Sequence, residues 1–169
     1  LYVVSGGNEY DQGSPNLQDR LYENTGNGSF KRDADALPEI TGSGSCVVAG
    51  DFDNDGDEDL FVGGRQKPGR YPEPVSSHLL RNDTEGGSLK FTDVTLELAP
   101  ILKEIGMVTD ALWLDQDGSG SPDLVLVGEW MSIRILQNRE SGFHDITQES
   151  GLAEDVGWWN CITAEDFDG

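Results

Sequence analysis

Short apolar runs, each closed by glycine, recur along the chain and predict β-strands. Residues 60–64 and 124–128 form two such runs, and residues 1–7 at the start of the chain have the same form. Runs of this length that are rich in Val, Leu and Phe and are bounded by glycine are typical of strands. A hairpin follows each run, with an Asn at its first turn and an aromatic residue beyond a Gly-containing turn. The Asn residues are Asn24, Asn82 and Asn138, and the aromatic residues are Phe30, Phe91 and Phe143.

The spacing of this pattern indicates a repeat of four strands. The three Asn residues are 58 and 56 positions apart. One further strand precedes each Asp-rich segment, at 44–50, 107–114 and 158–165. Four short strands per unit, repeated along a chain, predict an all-β protein built of four-stranded antiparallel β-propeller blades. One blade cannot bury both of its faces alone, so neighbouring blades must stack.

We expect residues 1–169 to form a single β-propeller fragment that holds about three blades' worth of strands. Residues 1–43 would supply the last three strands of one blade, 44–106 and 107–157 two complete blades, and 158–169 the first strand of the next. A closed propeller uses about four to eight blades. Further blades of the same protein, or another copy of the chain, would therefore complete the ring.

An Asp-rich segment joins the first strand to the second strand of each unit. The clearest copy is 51–60, the second is 115–124, and a third begins at Asp166. Oxygen-bearing residues at positions 1, 3, 5, 7 and 9 turn alternate oxygens inward, and Ca²⁺ takes about six to eight oxygen ligands. We therefore expect calcium as the cofactor. The candidate ligands are Asp51, Asp53, Asp55, Asp57 and Asp59 in the first loop, Asp115, Asp117, Ser119, Ser121 and Asp123 in the second, and Asp166 and Asp168 in the third.

The Asp-rich loops have two other interpretations besides a calcium site. An EF-hand loop needs a bidentate Glu at position 12, where this chain has Val62 and Leu126. Plain turns are the second alternative, since Asp favours turns by bonding its own backbone. Five aspartates in nine positions would then repel one another without compensation. The turn interpretation stays open, and more so for the second loop, which has Ser119 at position 5 and Pro122 at position 8.

Composition narrows the classes of partner. The chain has 32 acidic and 11 basic residues, which give a formal net charge of −21. Such a surface repels nucleic acid and anionic membranes, so neither is an expected partner. Membrane insertion is also not expected, because no apolar run of about 18 residues occurs. The 22 glycines suit an all-β protein with many tight turns.

The loop pattern D-x-D-x-D-G-x-x-D, followed by an apolar run that ends in glycine, resembles FG-GAP and VCBS repeats. These repeats form the integrin α-subunit propeller and occur in many bacterial secreted proteins. Residues 91–95, 143–147 and 157–160 are more similar still to VCBS-repeat proteins that carry an ASPIC/UnbV domain, which are related to the animal cartilage acidic proteins. The resemblance implies that positions 1, 3, 5 and 9 bind calcium through side chains. It also implies that Asp57 and Ser121, at position 7, bind through backbone carbonyls.

We expect a non-catalytic, calcium-binding repeat module with a scaffold, adhesion or ligand-binding role. It would act outside the cytoplasm, in an extracellular, periplasmic or cell-surface location, because calcium there fills sites with dissociation constants of about 10⁻⁴ to 10⁻³ M. Its partner would be a protein or a glycan. The alternative is a carbohydrate-binding or carbohydrate-processing propeller that uses Trp130, Trp158 or Trp159 for stacking. A glycoside hydrolase needs two carboxylates about 5 to 10 Å apart in a cleft, and the sequence marks no such pair.

Three smaller features carry expectations of their own. Cys46 and Cys161 each stand five residues before an Asp-rich loop, and we expect both to be buried, reduced thiols. Trp158 stands on a first strand, where packing between blades is the default. A Pro-rich insert at 65–77 carries three of the eleven basic residues, and residues 96–105 have the apolar spacing of one or two helical turns.

Overall fold

The computed structural model describes residues 1–166, and it is all-β with antiparallel sheets, as the apolar pattern predicts. The first sheet has three strands in chain order, and a short 3-10 helix at Pro15–Leu17 lies between its first and second strands. Its strands are β1 (Tyr2–Val3), β2 (Arg20–Gly26) and β3 (Ser29–Asp33).

The second and third sheets share one topology. In each sheet four strands follow one another in chain order, and each strand pairs antiparallel with the next. The second sheet consists of β4 (Ser43–Gly50), β5 (Asp59–Gln66), β6 (His78–Asn82) and β7 (Phe91–Asp93). The third sheet contains β8 (Met107–Leu114), β9 (Asp123–Ser132), β10 (Arg134–Arg139) and β11 (Gly142–Asp145), and a short fifth strand pairs beside β8 at the end of β9.

The second sheet is buried on both faces. Successive side chains of a strand point to opposite faces. Leu60 and Val62 of β5 therefore pack in a core with Leu21 of the first sheet, while Phe61 packs in a separate core with Leu126 of the third sheet. Burial on both faces explains why β5 is a continuous apolar run and does not alternate between apolar and polar residues.

One hydrogen bond recurs between successive units of the stack. Ser45 Oγ on β4 donates to the Val108 carbonyl on β8 over 2.7 Å. Thr109 Oγ1, at the matching position of β8, donates to the Trp159 carbonyl over 2.8 Å. The segment at Trp159 is therefore related to the third sheet as β8 is related to the second sheet.

A short strand, β12 (Val156–Trp158), pairs antiparallel with the end of β9. The sequence predicts the first strand of a further blade at 158–165, and the structure has no strand at 159–166. The predicted blade boundaries and the number of blades in a closed ring stay predictions.

The predicted helical turns at 96–105 are confirmed. A helix α1 (Thr95–Leu98) is followed by a 3-10 turn, Pro100–Leu102, between the second and third sheets. Pro100 occupies the first position of that turn, where a missing N–H leaves no helical hydrogen bond unmade. In the part of the chain that the structure describes, the helices are all too short to span a membrane.

Candidate metal-binding loops

The first loop joins β4 to β5 and is folded around the carboxylate at its first position. Asp51 accepts hydrogen bonds from the backbone N–H of Asp55 over 3.1 Å and of Gly56 over 3.0 Å. Asp53 also accepts from the Asp55 N–H, over 3.3 Å. Gly56 has a φ of +97°, a left-handed conformation that favours glycine. Because of this turn, the side chains at positions 1 and 3 lie on the same side of the loop.

The carboxylate at position 9 is fully buried and connects the loop to the next strand. Asp59 Oδ1 accepts from the Asn82 N–H on β6 over 2.8 Å, and its Oδ2 accepts from the Phe52 N–H over 3.1 Å. Burial raises the pKa of Asp59 to about 6, against the opposing effect of these two N–H groups. Asp59 therefore holds the loop against the hairpin that follows.

Three carboxylates of the first loop converge. One oxygen from each of Asp51, Asp53 and Asp59 lies within 4.8 Å of the others, and residues 1–166 contain no other such group of acidic, His or Cys side chains. Two ionised carboxylates about 4 Å apart near a surface repel by roughly 4 kcal/mol. Partial burial raises the pKa of Asp53, and the neighbouring charges of Asp55 and Asp51 raise it further. A cation at this position would remove that repulsion.

The side chains at positions 5 and 7 lie outside this group. Asp55 Oδ1 accepts from the Asp57 N–H over 2.9 Å, so the carboxylate at position 5 bonds to its own loop. Both residues are exposed. The structure therefore brings together three of the four carboxylates expected as ligands of the first loop, and the expected ligation by the Asp57 carbonyl stays a prediction.

The second loop, between β8 and β9, has the same backbone frame. Asp115 accepts from the N–H groups of Ser119 over 3.0 Å and Gly120 over 2.9 Å. Asp117 accepts from the same Ser119 N–H over 2.9 Å. Its second oxygen bonds to the Gln137 side chain, and hydrogen bonds from Ser119 and Gln137 hold the pKa of Asp117 below its usual range.

Asp123 occupies position 9 of the second loop and is fully buried, as Asp59 is. Its Oδ1 accepts from the Asn138 N–H over 2.7 Å, while its buried Oδ2 makes no hydrogen bond within 3.5 Å, and Gln116 reaches the carboxylate only through weaker polar contacts. Burial raises the pKa of Asp123. An unsatisfied buried polar atom costs about 1–3 kcal/mol, and more if it is charged. A bound cation would satisfy this oxygen.

The serines at positions 5 and 7 of the second loop bond mainly to one another and to the first loop. Ser121 N–H donates to Ser119 Oγ over 3.3 Å. Ser121 Oγ accepts from the Asn54 side chain of the first loop over 2.9 Å. The Ser119 hydroxyl is thus engaged within its own loop, like the Asp55 carboxylate.

The structure adds a contact between the first loop and the third sheet that the sequence does not predict. Asn138 Nδ2 donates to the Phe52 carbonyl in the first loop over 2.7 Å. The Phe52 ring packs against Trp113 and Phe143 of the third sheet, with ring centroids 6.1 and 5.9 Å away. The sequence held one signal for this contact, because an Asn recurs at the hairpin turn of every unit.

The third candidate loop is only partly described. Asp166 lies at the end of the described chain, and Asp168 lies outside the described residues.

Cys46 is half-buried and Cys161 is exposed, and neither forms a disulfide. The expectation of two buried thiols is therefore wrong for Cys161, because the segment that contains it is not covered.

These observations define an all-β protein of stacked antiparallel sheets with two Asp-rich loops in equivalent places. A family model described as an FG-GAP-like repeat matches residues 1–62, a range that includes the first sheet, β4 and the first loop. Comparison with curated proteins gave no match, and neither did comparison with solved structures. The match supports the FG-GAP repeat family predicted from the loop pattern.

Proposed function

We propose that this chain is a calcium-binding, β-propeller-like repeat module. The similarity to FG-GAP-like repeats supports this proposal, together with the repeated sheet topology and the recurrent hydrogen bond between units. The finer resemblance to VCBS-repeat proteins of the ASPIC/UnbV type belongs to the same proposal. Each four-stranded sheet would be one blade of a larger ring, completed by further blades or by another copy of the chain.

The observation that carries the calcium proposal is the convergence of Asp51, Asp53 and Asp59. An all-oxygen, carboxylate-rich donor set suits a hard cation such as Ca²⁺. The carbonyl of Asp57 and the nearby carboxylate of Asp55 would complete the set. In the second loop, Asp115, Asp117 and Asp123 would contribute carboxylates and the serines neutral oxygens.

Calcium would act here as a structural cofactor. It would hold together carboxylates that otherwise repel, and through Asp59 and Asp123 it would fix each loop against the following hairpin. Because the ligands come together only in the folded chain, binding free energy adds to folding free energy. We infer a non-catalytic scaffold, adhesion or ligand-binding role outside the cytoplasm, where weak calcium sites stay filled.

Thermal unfolding in calcium, magnesium and a chelator, with calorimetric titration of calcium, tests this proposal. The expected result is stabilisation by calcium over magnesium, because Mg²⁺ demands octahedral geometry and gives up its water reluctantly. Equal unfolding temperatures in calcium and chelator would mean that the loops are plain turns. Sedimentation at several protein concentrations tests whether copies of the chain associate.

A second candidate function is carbohydrate binding. It is favoured by a group of exposed aromatic side chains at the end of the sheets opposite to the loops. A contiguous exposed apolar patch with polar residues at its rim is a feature of ligand-binding and partner-binding surfaces.

A further inference from the structure

The side chain of Gln137 on β10 connects its own hairpin to the second loop. Its amide N–H donates to Asp117 Oδ2, and its Oε1 accepts from Arg139 Nε over 2.8 Å. Arginine can only donate and an ionised carboxylate can only accept, so these two partners fix which end of the amide faces each of them. All three residues belong to the third sheet and its own loop, so the contact needs no further blade of the ring.

Asp117, at position 3 of the second loop, is held through both of its oxygens. The Ser119 N–H donates to Oδ1 over 2.9 Å, and the Gln137 amide donates to Oδ2. Because Asp117 is exposed, packing does not select its rotamer, and these hydrogen bonds supply the restraint. Gln137 is the part of this restraint that comes from outside the loop.

Strand β10 holds two candidate ligands of the second loop through adjacent residues. Gln137 bonds to Asp117 through its side chain, and the Asn138 N–H donates to Asp123 over 2.7 Å. Positions 3 and 9 of the loop are thereby attached to one strand. Metal ligands are commonly oriented by hydrogen bonds from residues that do not themselves touch the metal. Gln137 has the position and the chemistry of such a residue.

The second sheet has a different residue at this place. Arg81 precedes Asn82 as Gln137 precedes Asn138, but the Arg81 guanidinium donates to Asp83 over 2.8 Å. The first loop brings three carboxylates together with this arrangement. The second loop has a serine at position 5 and so has fewer carboxylates, which makes the placement of each remaining one more important for binding a cation.

We propose that Gln137 is a positioning residue for calcium at the second loop, and that it acts by holding the Asp117 carboxylate in place. Gln137 would not touch the cation. A carboxylate has about four lone-pair sites, so Asp117 can accept from the amide and still bind a cation. Holding a ligand in place before binding lowers the entropic cost of binding. This role rests on the calcium-binding function proposed above and names a residue that sets the affinity of one site.

Calorimetric titration of calcium into chains that carry Asp53→Asn tests this role, because that change leaves the second loop as the site to be measured. Gln137→Met keeps the length of the side chain and removes its donor. It should raise the dissociation constant of the second loop about tenfold or more, the usual effect of losing a hydrogen bond to a metal ligand. Gln148→Met makes the same substitution at an exposed residue beyond β11 and should leave the constant unchanged.

Two further measurements separate positioning from a structural role. In chains that carry Asp117→Asn and an intact first loop, Gln137→Met should leave calcium binding unchanged, because its effect passes through the Asp117 carboxylate. In urea unfolding, Gln137→Met should cost more stability in calcium than in chelator. A contact that only stabilises the hairpin would be lost equally in both conditions.

The outcomes distinguish this role from the function on which it rests. If Gln137→Met leaves the affinity of the second loop unchanged, the role is overturned and the proposed function stands. Tighter binding by Gln137→Met also overturns the role, because Gln137 would then compete with calcium for Asp117. If the unsubstituted chain binds calcium and the Asp53→Asn chain does not, the role alone is again overturned. If the unsubstituted chain binds no calcium, the proposed function and this role are overturned together.

Discussion

The first and second loops share the same pattern of backbone hydrogen bonds but differ in the side chains that could bind a metal. In both, the carboxylate at position 1 accepts two backbone N–H groups, and the buried carboxylate at position 9 accepts the N–H of the hairpin Asn. Among residues 1–166, only the first loop brings three carboxylates within 4.8 Å of one another. Hydrogen bonding to the backbone therefore sets the shape of the loop, and the side chains at the remaining positions set how much negative charge it concentrates.

The position-9 carboxylates show the same contrast. Asp59 has both oxygens hydrogen-bonded at 3.1 Å or less, while one buried oxygen of Asp123 makes no hydrogen bond within 3.5 Å and has only weaker polar contact with Gln116. The first loop is well hydrogen-bonded but crowded with charge, and the second is less charged but has a poorly satisfied oxygen. Both loops thus have a physical reason to bind a cation, and we expect the first to bind more tightly because charged ligands raise calcium affinity.

The largest effect should come from neutralising position 3. At 10 mM calcium, a site with a dissociation constant of about 10⁻⁴ to 10⁻³ M stabilises the fold by about 1.4–2.7 kcal/mol. Asp53→Asn should remove most of that stabilisation, and Asp117→Asn should remove less. The measurement is the free energy of unfolding by urea in calcium and in chelator.

Glu58→Gln is the matched control for Asp53→Asn. Glu58 is exposed in the same loop, lies outside the group of three carboxylates, and changes charge by the same amount. It should leave the difference between calcium and chelator nearly unchanged. If both variants reduce that difference equally, calcium acts through general screening of charge and no loop site exists.

A smaller effect is expected from adding charge to the second loop. Ser119→Asp supplies the carboxylate that the first loop has at position 5, and it should tighten calcium binding at this loop by up to about tenfold, or about 1.4 kcal/mol. Calorimetric titration measures the change. Ser121→Asp adds the same charge at position 7, where the carbonyl is the expected ligand, so comparable tightening by both variants would argue against the assigned ligand positions.

The two hairpin Asn residues differ in where their side chains reach. The Asn82 side chain donates to the Glu58 carbonyl of its own sheet over 3.1 Å, and the Asn138 side chain donates to Phe52 in the neighbouring sheet. Asn138→Ala should lower the free energy of unfolding by about 1 kcal/mol and also weaken calcium binding at the first loop. Asn24→Ala is its control, because the Asn24 side chain accepts from the Gly26 N–H within the hairpin of the first sheet, and it should leave calcium binding at the first loop unchanged. If Asn138→Ala leaves the first loop's affinity unchanged, the contact between Asn138 and Phe52 does not couple the third sheet to the first loop.

Much of the fold followed from the sequence because its signals are local and repeated. The strand runs, the Asn turns and the position of Pro100 each depend on neighbouring residues, and the structure places a strand or turn at each. The segment at 158–165 was less predictable. Its strand character depends on pairing with β9, which is a tertiary contact, and pairing reaches only Trp158.

The candidate site was predictable in its residue types but not in its geometry. Spacing selected Asp55 along with Asp51 and Asp53, yet the Asp55 carboxylate bonds to the Asp57 N–H, a local competition that spacing does not reveal. The contact between Tyr71 and Trp130 joins residues 59 positions apart, one in the insert after β5 and the other on β9. Neither segment has a pattern that predicts the other, so this contact required the structure.

The smallest effect is expected from the ion pairs that link the third strand to the fourth strand in the second and third sheets. Asp93 pairs with His78 over 2.9 Å, and at the matching position Asp145 pairs with Arg134 over 2.8 Å. Burial would raise the pKa of Asp93, but hydrogen bonds from His78 and Thr95 hold it at about 2. Since that pKa is below the unfolded value near 4, the ionised carboxylate stabilises the fold above about pH 4 and loses this effect as pH falls through about 2.

Asp93→Asn keeps the side-chain oxygen that accepts from Thr95 and removes the charge. In calcium-free buffer, the wild-type chain should be more stable than this variant at pH 5 by at most about 1 kcal/mol, since the pair is partly exposed. That advantage should shrink steadily between pH 4 and pH 2 in thermal unfolding. A difference that stays constant across this range would mean that the charge of Asp93 contributes nothing. The His78 pair would then be, like many partly exposed ion pairs, a consequence of the hairpin geometry and no cause of its stability.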